Sequence, residues 1–167
     1  METLCIEYIL AAFAKAGFHF QPGSHWRTEQ IARQLGVIPA YHRLLERLLQ
    51  MLAEAGILTS ARLRVNSGEP TQNQESWQVL RTPTPRSPQA ELQRLQTEYG
   101  AVIEAELALL ARCASGLSEV LRGVQNPLEL LFPGGDASLV NRTYQNSPIA
   151  DVMNRLAQNA VRTALAQ

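Results

Sequence analysis

The sequence predicts a mainly α fold, in which a winged-helix-like N-terminal subdomain with a short β-hairpin precedes an α-helical subdomain containing one long helix. Apolar residues recur at helical spacing through most of the 167 residues, and glycines and prolines break the pattern into segments. Two short stretches rich in β-branched and aromatic residues predict strands. Hydrophobic residues make up 46% of the chain, which is enough to form a core.

The first two helices are bounded by residues that favour helix ends. Apolar residues at helical spacing predict a helix over Thr3–Ala16, and Gly17 is placed to terminate it. Thr28 is expected to cap a second, shorter helix, because its hydroxyl can accept a bond from a free backbone amide. Gly36 ends that helix. Two helices separated by a turn therefore open the chain.

A third helix begins near Pro39, since proline suits the first helical turn, and Gly56 closes it. One broad apolar stripe runs along this helix and predicts a face that packs on the core. The stripe consists of Tyr41, Leu44, Leu45, Leu48, Leu49 and Leu52. The opposite face carries His42, Arg43, Glu46, Arg47 and Gln50.

Two strands are expected after the third helix. Ile57–Val65 and Trp77–Leu80 have strand composition, and the polar segment Asn66–Ser76 joins them. Three helices followed by such a hairpin are typical of a winged helix. We therefore predict a winged-helix-like subdomain over residues 1–82.

Closely spaced prolines mark the predicted subdomain boundary. They exclude regular helix and strand, which makes residues 83–88 a linker and residues 89–167 a second, helical subdomain. Its longest element is a helix over Gln89–Ala114, with one apolar face sustained for about seven turns. Shorter helices are expected at Leu117–Arg122, Pro127–Phe132, Ala137–Tyr144 and from Pro148 onward, with Asn126 and Ser147 as caps.

Charge and hydropathy indicate the compartment and the kinds of partner. Fifteen basic and fifteen acidic residues cancel, so the long-range field that attracts nucleic acid or anionic lipid is weak. No stretch approaches the ~20 apolar residues needed to cross a bilayer. We expect a cytoplasmic protein with no membrane partner, and we do not expect nucleic acid as a partner.

No pattern in the sequence predicts a catalytic, metal or cofactor site of its own. Cys5 and Cys113 lie in helical patterns, as expected of buried, reduced thiols. The three histidines lack the spacing of zinc ligands: His19, His25 and His42. No G-x-S-x-G elbow and no glycine-rich strand-to-helix turn occurs, and Gly134–Gly135 is interpreted as an interhelical turn.

A rival function is DNA binding by the predicted helix-turn-helix over Thr28–Leu58. Its prospective groove-facing side chains mix Arg43 and Arg47 with Glu46 and Gln50. Residues 26–65 hold six arginines against three glutamates, a surplus that supports only weak, salt-sensitive binding. The alternative is that the same module packs against another domain or forms a dimer.

The polar stretch Asn141–Ser147 interrupts an apolar helical region just before the proline-started helix. One account is a capped turn between helices. The other is the wall of a pocket, because a helix amino terminus offers free amides and positive potential to an acidic or enolate-like group.

Two segments resemble polyketide-synthase C-methyltransferase domains. Asn126–Asn154 reads N-P-L-E-L-L-F-P-G-G-D-A-S-L-V-N-R-T-Y-Q-N-S-P-I-A-D-V-M-N, similar to the segment ahead of that family's cofactor core. The upstream stretch V-I-P-A-Y-H-R-L-L-E-R-L-L-Q-M-L-A-E-A-G-I-L resembles the family's lid. The likeness covers most of the chain.

The resemblance implies an S-adenosylmethionine-dependent enzyme that methylates the α-carbon of a β-ketoacyl chain on an acyl carrier protein, with this segment as the substrate-gating lid. Partners would be the downstream methyltransferase core, other synthase domains and the phosphopantetheine-bound substrate. In the family the cofactor loop and the His-Glu pair come after this point, and the sequence stops at Gln167. No cofactor is therefore expected on this segment alone.

The resemblance also assigns site residues. The tyrosine of a Y-x-x-S-P string in the family lies at the active site, and the matching residue here is Tyr144, a contact for the substrate enolate. Asn154, one helix further on, is a second candidate for substrate binding. A lid without its core would expose apolar side chains, for which the candidates are Leu130, Phe132 and Val152. An excised synthase fragment and a non-catalytic adaptor remain as alternative interpretations.

Overall fold

A computed structural model describes residues 1–61, 76–84 and 86–165. These residues form a mainly helical fold with a small antiparallel sheet, which confirms the predicted fold class and the short hairpin. In chain order the elements are α1 (Glu2–Lys15), β1 (His25–Arg27), α2 (Thr28–Leu35), α3 (His42–Glu54), β2 (Leu58–Ala61), β3 (Ser76–Val79), α4 (Pro88–Ser115), α5 (Leu117–Leu121), α6 (Pro127–Leu131), α7 (Ser138–Asn146) and α8 (Pro148–Leu165). Single 3₁₀ turns lie at Pro39–Tyr41 and Pro133–Gly135.

The chain divides into two compact units. The first comprises Met1–Pro88 with Ser115–Gln125, and the second comprises Gln89–Ala114 with Asn126–Gln167. The segment that contains α5 thus belongs with the first unit. The division into residues 1–82, 83–88 and 89–167 stays a prediction. Residues 62–75 and Pro85, which include most of the predicted hairpin loop and one linker proline, lie outside the described residues.

Helix α1 ends where the sequence predicts. Gly17 has φ +79°, a left-handed conformation that glycine adopts without strain from a Cβ atom. Its amide donates to the carbonyl of Ala14 at 2.9 Å, and the amide of Phe18 donates to that of Phe13 at 2.9 Å. These bonds satisfy the last carbonyls of the helix, as in a Schellman motif. The turn brings the rings of Phe13 and Phe18 into an edge-to-face contact.

The predicted capping role of Thr28 is wrong. Thr28 is the first residue of α2, and its hydroxyl accepts a bond from the indole Nε1 of Trp77 at 3.0 Å. The start of α2 is held instead by the side chain of Gln30, whose Oε1 accepts from the backbone amide of Arg27 at 2.8 Å. Thr28 is buried, so its hydroxyl contributes to the interior of the unit.

The apolar stripe of α3 packs on the core, with Leu44 as its exception. Leu44 is 36% exposed, because it lies about 90° around the helix from the centre of the buried face. The four leucines of that face are all buried: Leu45, Leu48, Leu49 and Leu52. The stripe is therefore narrower than its sequence suggests.

The sheet has three strands in the order β1-β3-β2, and both pairs are antiparallel. Strand β1 was not predicted, because three residues are too few to show an alternating pattern. Its central residue Trp26 pairs with Trp77 of β3. Strand β2 ends within the described residues at Ala61, and the predicted extension to Val65 lies outside them.

The core of the first unit draws on every helix and strand of that unit. Its largest fully buried side chains include Trp77 and Phe13. The segment Ser115–Gln125 is attached to it by three contacts of different kinds. The amide of Ile38 donates to the carbonyl of Leu121 at 3.0 Å, Lys15 and Glu119 form an ion pair, and Leu121 joins the core. The ion pair lowers the pKa of Glu119 below its usual value.

Gly123→Ala tests the close approach between this segment and the rest of the first unit. Gly123 has φ +71°, and a Cβ atom there would lie 2.8 Å from Cδ1 of Ile38. We expect a loss of about 2 kcal/mol in the free energy of unfolding, from backbone strain and the clash together. The measurement is denaturant unfolding followed by circular dichroism.

Gly56→Ala is the matched control for that experiment. Gly56 has a similar φ of +67°, but an added Cβ would meet no atom within 4 Å. Only backbone strain applies here, so we expect a loss of about 1 kcal/mol in the free energy of unfolding. Equal losses in the two variants would contradict the packing of Ile38 against Gly123.

Helix α4 is the predicted long helix, but it is not continuous. Ile103 has φ −129° and ψ 28°, which is outside the helical region and marks a kink. The predicted single apolar face is consequently wrong. Leu95 and Leu107, on either side of the kink, are buried, whereas Tyr99 and Val102 are 46% and 54% exposed. The kink changes the direction in which successive turns present their side chains.

Candidate functional site

The candidate site lies on α7 and α8 of the second unit. Helix α7 begins beside Asp136, whose Oδ1 accepts from the amide of Ser138 at 2.8 Å and whose Oδ2 accepts from its hydroxyl at 2.9 Å. These bonds hold the pKa of Asp136 below its usual value. An ionised carboxylate at this position stabilises the helix start through the helix dipole.

Tyr144 lies in the last turn of α7 and points away from the buried side of that helix. Leu139, on the buried side, is 3% exposed. Tyr144 lies five positions after Leu139, which places the two side chains about 140° apart around the helix. Tyr144 is 68% exposed. Its hydroxyl makes no hydrogen bond within the described part of the chain, so it is available to a group from outside.

Ser147 joins α7 to α8 in the way that its sequence context predicts. Ser147 is 5% exposed, and its Oγ accepts a hydrogen bond from the backbone amide of Ala150 at 3.5 Å. The carbonyl of Ser147 accepts from the amide of Asp151 at 2.9 Å. Ser147 therefore caps α8, and Tyr144 lies one turn of chain before that helix begins.

Asn154 lies in the second turn of α8 and is exposed. It is about 160° around the helix from Leu156, so it belongs to the polar side of α8. Among the described residues no hydrogen bond joins it to Tyr144. The structure therefore places both predicted site residues on the surface of neighbouring helices without connecting their side chains.

Helix α8 exposes apolar side chains as well as polar ones. Val152, one of three candidates for an exposed apolar patch, is 52% exposed, whereas Leu130 and Phe132 are partly buried. Four further apolar residues of α8, which the sequence did not single out, are exposed to a greater extent: Met153, Leu156, Val161 and Leu165. The helical spacing of Val152, Met153 and Leu156 was the signal that could have found the first two of these, whereas Val161 and Leu165 lie on another side of the helix.

The first unit contains a cavity of about 350 Å³ between one face of α1 and the segment after β3. Glu7 lines it and is 7% exposed, and its Oε2 accepts from the backbone amide of Arg86 at 3.3 Å. The carboxylate thus fastens the segment before α4 to α1. The sequence alone did not indicate this role of Glu7, because Arg86 lies 79 positions away in the chain.

The described residues do not fit a site for S-adenosylmethionine. Gly134 and Gly135 lie in a 3₁₀ turn that follows α6, whereas a cofactor loop needs a strand before it and a helix after it. Among the same residues, no group of three potential ligands could hold a metal ion. Cys5 and Cys113 are free thiols that are partly rather than fully buried, and burial raises the pKa of each.

The face of α3 that would meet DNA is partly neutralised. Arg47 and Glu54 are both exposed and form an ion pair, with 2.9 Å between Nη1 of the arginine and Oε1 of the glutamate. This pair reduces the positive charge on which phosphate binding depends. Within the described residues, no helix is sufficiently long and apolar to cross a bilayer.

Comparison with solved structures relates the chain to one class of enzyme. It superposes on the CurJ carbon methyltransferase with a TM-score of 0.86 and 37% identity, over 99% of this chain. It superposes on the DszA carbon methyltransferase with a TM-score of 0.78 and 25% identity, over the same share. The chain matches part of the carbon methyltransferases associated with polyketide synthases.

A third carbon methyltransferase shows the same fold at lower identity. The CMeT domain of the citrinin polyketide synthase superposes with a TM-score of 0.72 at 19% identity. The chain spans about two fifths of each of these carbon methyltransferases, at 41%, 39% and 40% of their lengths. No protein-family model matches the sequence, and no curated protein matches it.

Proposed function

We propose that this chain is the substrate-gating lid part of a polyketide synthase C-methyltransferase, which methylates the α-carbon of a β-ketoacyl chain held on an acyl carrier protein. The observation that carries the proposal is the superposition of 99% of the chain on the CurJ carbon methyltransferase at 37% identity. That superposition includes both units. The segment itself catalyses nothing, and S-adenosylmethionine belongs to the core of the complete domain.

In this proposal residues 1–82, which make up most of the first unit, are a winged-helix-like scaffold. Its element order supports this assignment, because three helices and a short strand between the first two precede a hairpin. Residues 1–82 form the scaffold, residues 83–88 the linker, and residues 89–167 the helical lid, of which the segment Ser115–Gln125 packs with the first unit. The scaffold packs within a synthase rather than on DNA, since Glu54 neutralises Arg47 on the exposed side of α3.

The second unit supplies the wall of the substrate site. Tyr144 supports this role because its phenol is exposed and makes no hydrogen bond among the described residues. When the α-carbon is deprotonated, negative charge develops on the oxygen of the enolate. A phenol that donates a hydrogen bond to that oxygen stabilises the transition state more than the ground state.

Asn154 would contact the substrate from α8. Its side chain is exposed on the polar side of the helix, where an amide can donate to or accept from the acyl chain or the phosphopantetheine arm. Closure of these helices over the acyl arm would exclude water from the reaction. Partners are therefore the methyltransferase core, the acyl carrier protein and the other synthase domains, all in the cytoplasm.

Methyl transfer to a β-ketoacyl carrier protein tests the proposal. The isolated chain is compared with the complete domain, meaning this chain together with the methyltransferase core that the proposal places in the same polypeptide. We expect transfer from S-adenosylmethionine by the complete domain and none by the isolated chain. The readout is the mass of the acyl group after its release from the carrier protein.

Two results would contradict the proposal. A parent polypeptide without a methyltransferase core would favour a non-catalytic adaptor inside a megasynthase. A complete domain that binds S-adenosylmethionine but methylates no β-ketoacyl carrier protein would also favour the adaptor. Binding of the cofactor is measured separately by calorimetry, so that an unfolded core is not mistaken for an inactive lid.

A further inference from the structure

Helix α8 has an apolar face that nothing in the described chain covers. Every described side chain from Asp151 to Leu165 is exposed. Most of the stability of an amphipathic helix in a protein comes from packing of its apolar side against a partner. The exposed fractions are 52% for Val152, 63% for Met153 and 59% for Leu156. Three neighbouring apolar side chains that are each more than half exposed indicate a contact surface.

The arrangement around the helix axis is amphipathic. Val152, Met153, Leu156 and Ala160 lie within an arc of about 100°, and we call them the α8 apolar face. The opposite side carries Asp151, Arg155, Gln158 and Arg162, together with two exposed apolar residues near the end of the helix, Val161 and Leu165. Asp151 and Arg155 pair with each other across one turn. The charged side is therefore satisfied in solvent, whereas the apolar face is not.

We infer that the α8 apolar face docks on the methyltransferase core and thereby holds Tyr144 in place against the substrate site. The inference rests on the proposed function. Three matched carbon methyltransferases have chains of which this sequence spans about two fifths, so each contains a further body large enough to cover the helix. The surface of the core that contacts the α8 apolar face must itself be apolar, since that face carries aliphatic and thioether groups and no charge.

Helix α8 directly follows the end of α7, where Tyr144 lies. Ser147 caps α8 and follows α7 directly, and residues of α7 contact residues of α8. Tyr144 occupies the last turn of α7, three residues before that cap. A core that fixes α8 therefore also fixes the end of α7. Docking would position Tyr144, whereas the tyrosine itself would act on the substrate.

Hydrogen–deuterium exchange of α8 tests this inference in the complete domain and in the isolated chain. We expect the α8 amides to exchange at least about tenfold more slowly in the complete domain, because docking prevents local unfolding. Val152→Lys combined with Leu156→Lys should restore the faster exchange. Gln158→Lys is the matched control, since it introduces the same group on the exposed polar side and should leave the protection unchanged.

Two outcomes would overturn the inference. One is equal α8 exchange in the complete domain and the isolated chain. The other is a dimer of the isolated chain that Leu156→Lys dissociates in sedimentation experiments, which would assign the face to a second copy. Methyl transfer is assayed on the same samples. Transfer without α8 protection refutes the docking alone, and protection without transfer refutes the proposed function alone.

Discussion

Replacing Trp77 by alanine is expected to lower the free energy of unfolding by about 3–5 kcal/mol, in the range of large aromatic-to-alanine changes in protein cores. Trp77 is 2% exposed and lies on the central strand of the sheet. The change leaves a cavity between the sheet and the helices, and it removes the bond that the indole donates to Thr28. Urea unfolding followed by far-ultraviolet circular dichroism measures the loss.

A pair of milder variants keeps this prediction testable if Trp77→Ala does not fold. Trp77→Phe retains an aromatic ring but loses the indole donor, so we expect a loss of about 1–2 kcal/mol. Trp26→Phe is the matched control, because Trp26 is paired with Trp77 across the strands but is only partly buried, and its Nε1 donates to Ser24. Equal losses in the two phenylalanine variants would contradict the central role of Trp77.

The contrast between these two tryptophans indicates what the sequence could predict. Local patterns gave α1 with its glycine end and the buried face of α3, because helical spacing and positive-φ glycines are properties of neighbouring residues. The bond between Thr28 and Trp77 joins residues that are 49 positions apart. The hydroxyl of Thr28 has the same local context whether it caps a helix or accepts from a distant indole, so the pattern could not separate the two.

Strand β1 and the kink in α4 were missed for related reasons. Three residues become a strand only because β3 provides hydrogen-bonding partners, and those partners lie some fifty residues later in the chain. At Ile103 the sequence continues an apolar helical pattern while the backbone leaves the helical region. A periodic pattern records which side chains are apolar, but it does not record where packing forces the helix to bend.

The candidate site was predictable in its location and not in its chemistry. The polar stretch before Pro148 indicated the junction of α7 and α8, and the structure gives Ser147 the capping role expected there. Nothing in the spacing of residues distinguishes Tyr144 from Tyr99, which is also an exposed tyrosine on a helix. The role of Tyr144 comes from the Y-x-x-S-P resemblance. Its geometry adds that the phenol is exposed beside the start of α8.

Replacing Tyr144 by phenylalanine in the complete domain is expected to lower kcat for methyl transfer about 100-fold, with little change in KM. The reason is that the hydroxyl would donate to the enolate oxygen only as charge develops there. A factor of 100 corresponds to about 2.7 kcal/mol in the activation free energy. The fold should be unaffected, since Tyr144 is 68% exposed and its hydroxyl has no hydrogen-bond partner among the described residues.

Tyr99→Phe is the matched control, because Tyr99 is a second exposed tyrosine of the same unit and the resemblance assigns it no role. Its kcat should equal that of the unaltered domain. Protection of α8 from hydrogen exchange should persist in Tyr144→Phe, which separates loss of the phenol from loss of docking. Undiminished kcat in Tyr144→Phe would remove this hydroxyl from the mechanism and leave α7 a purely structural part of the lid.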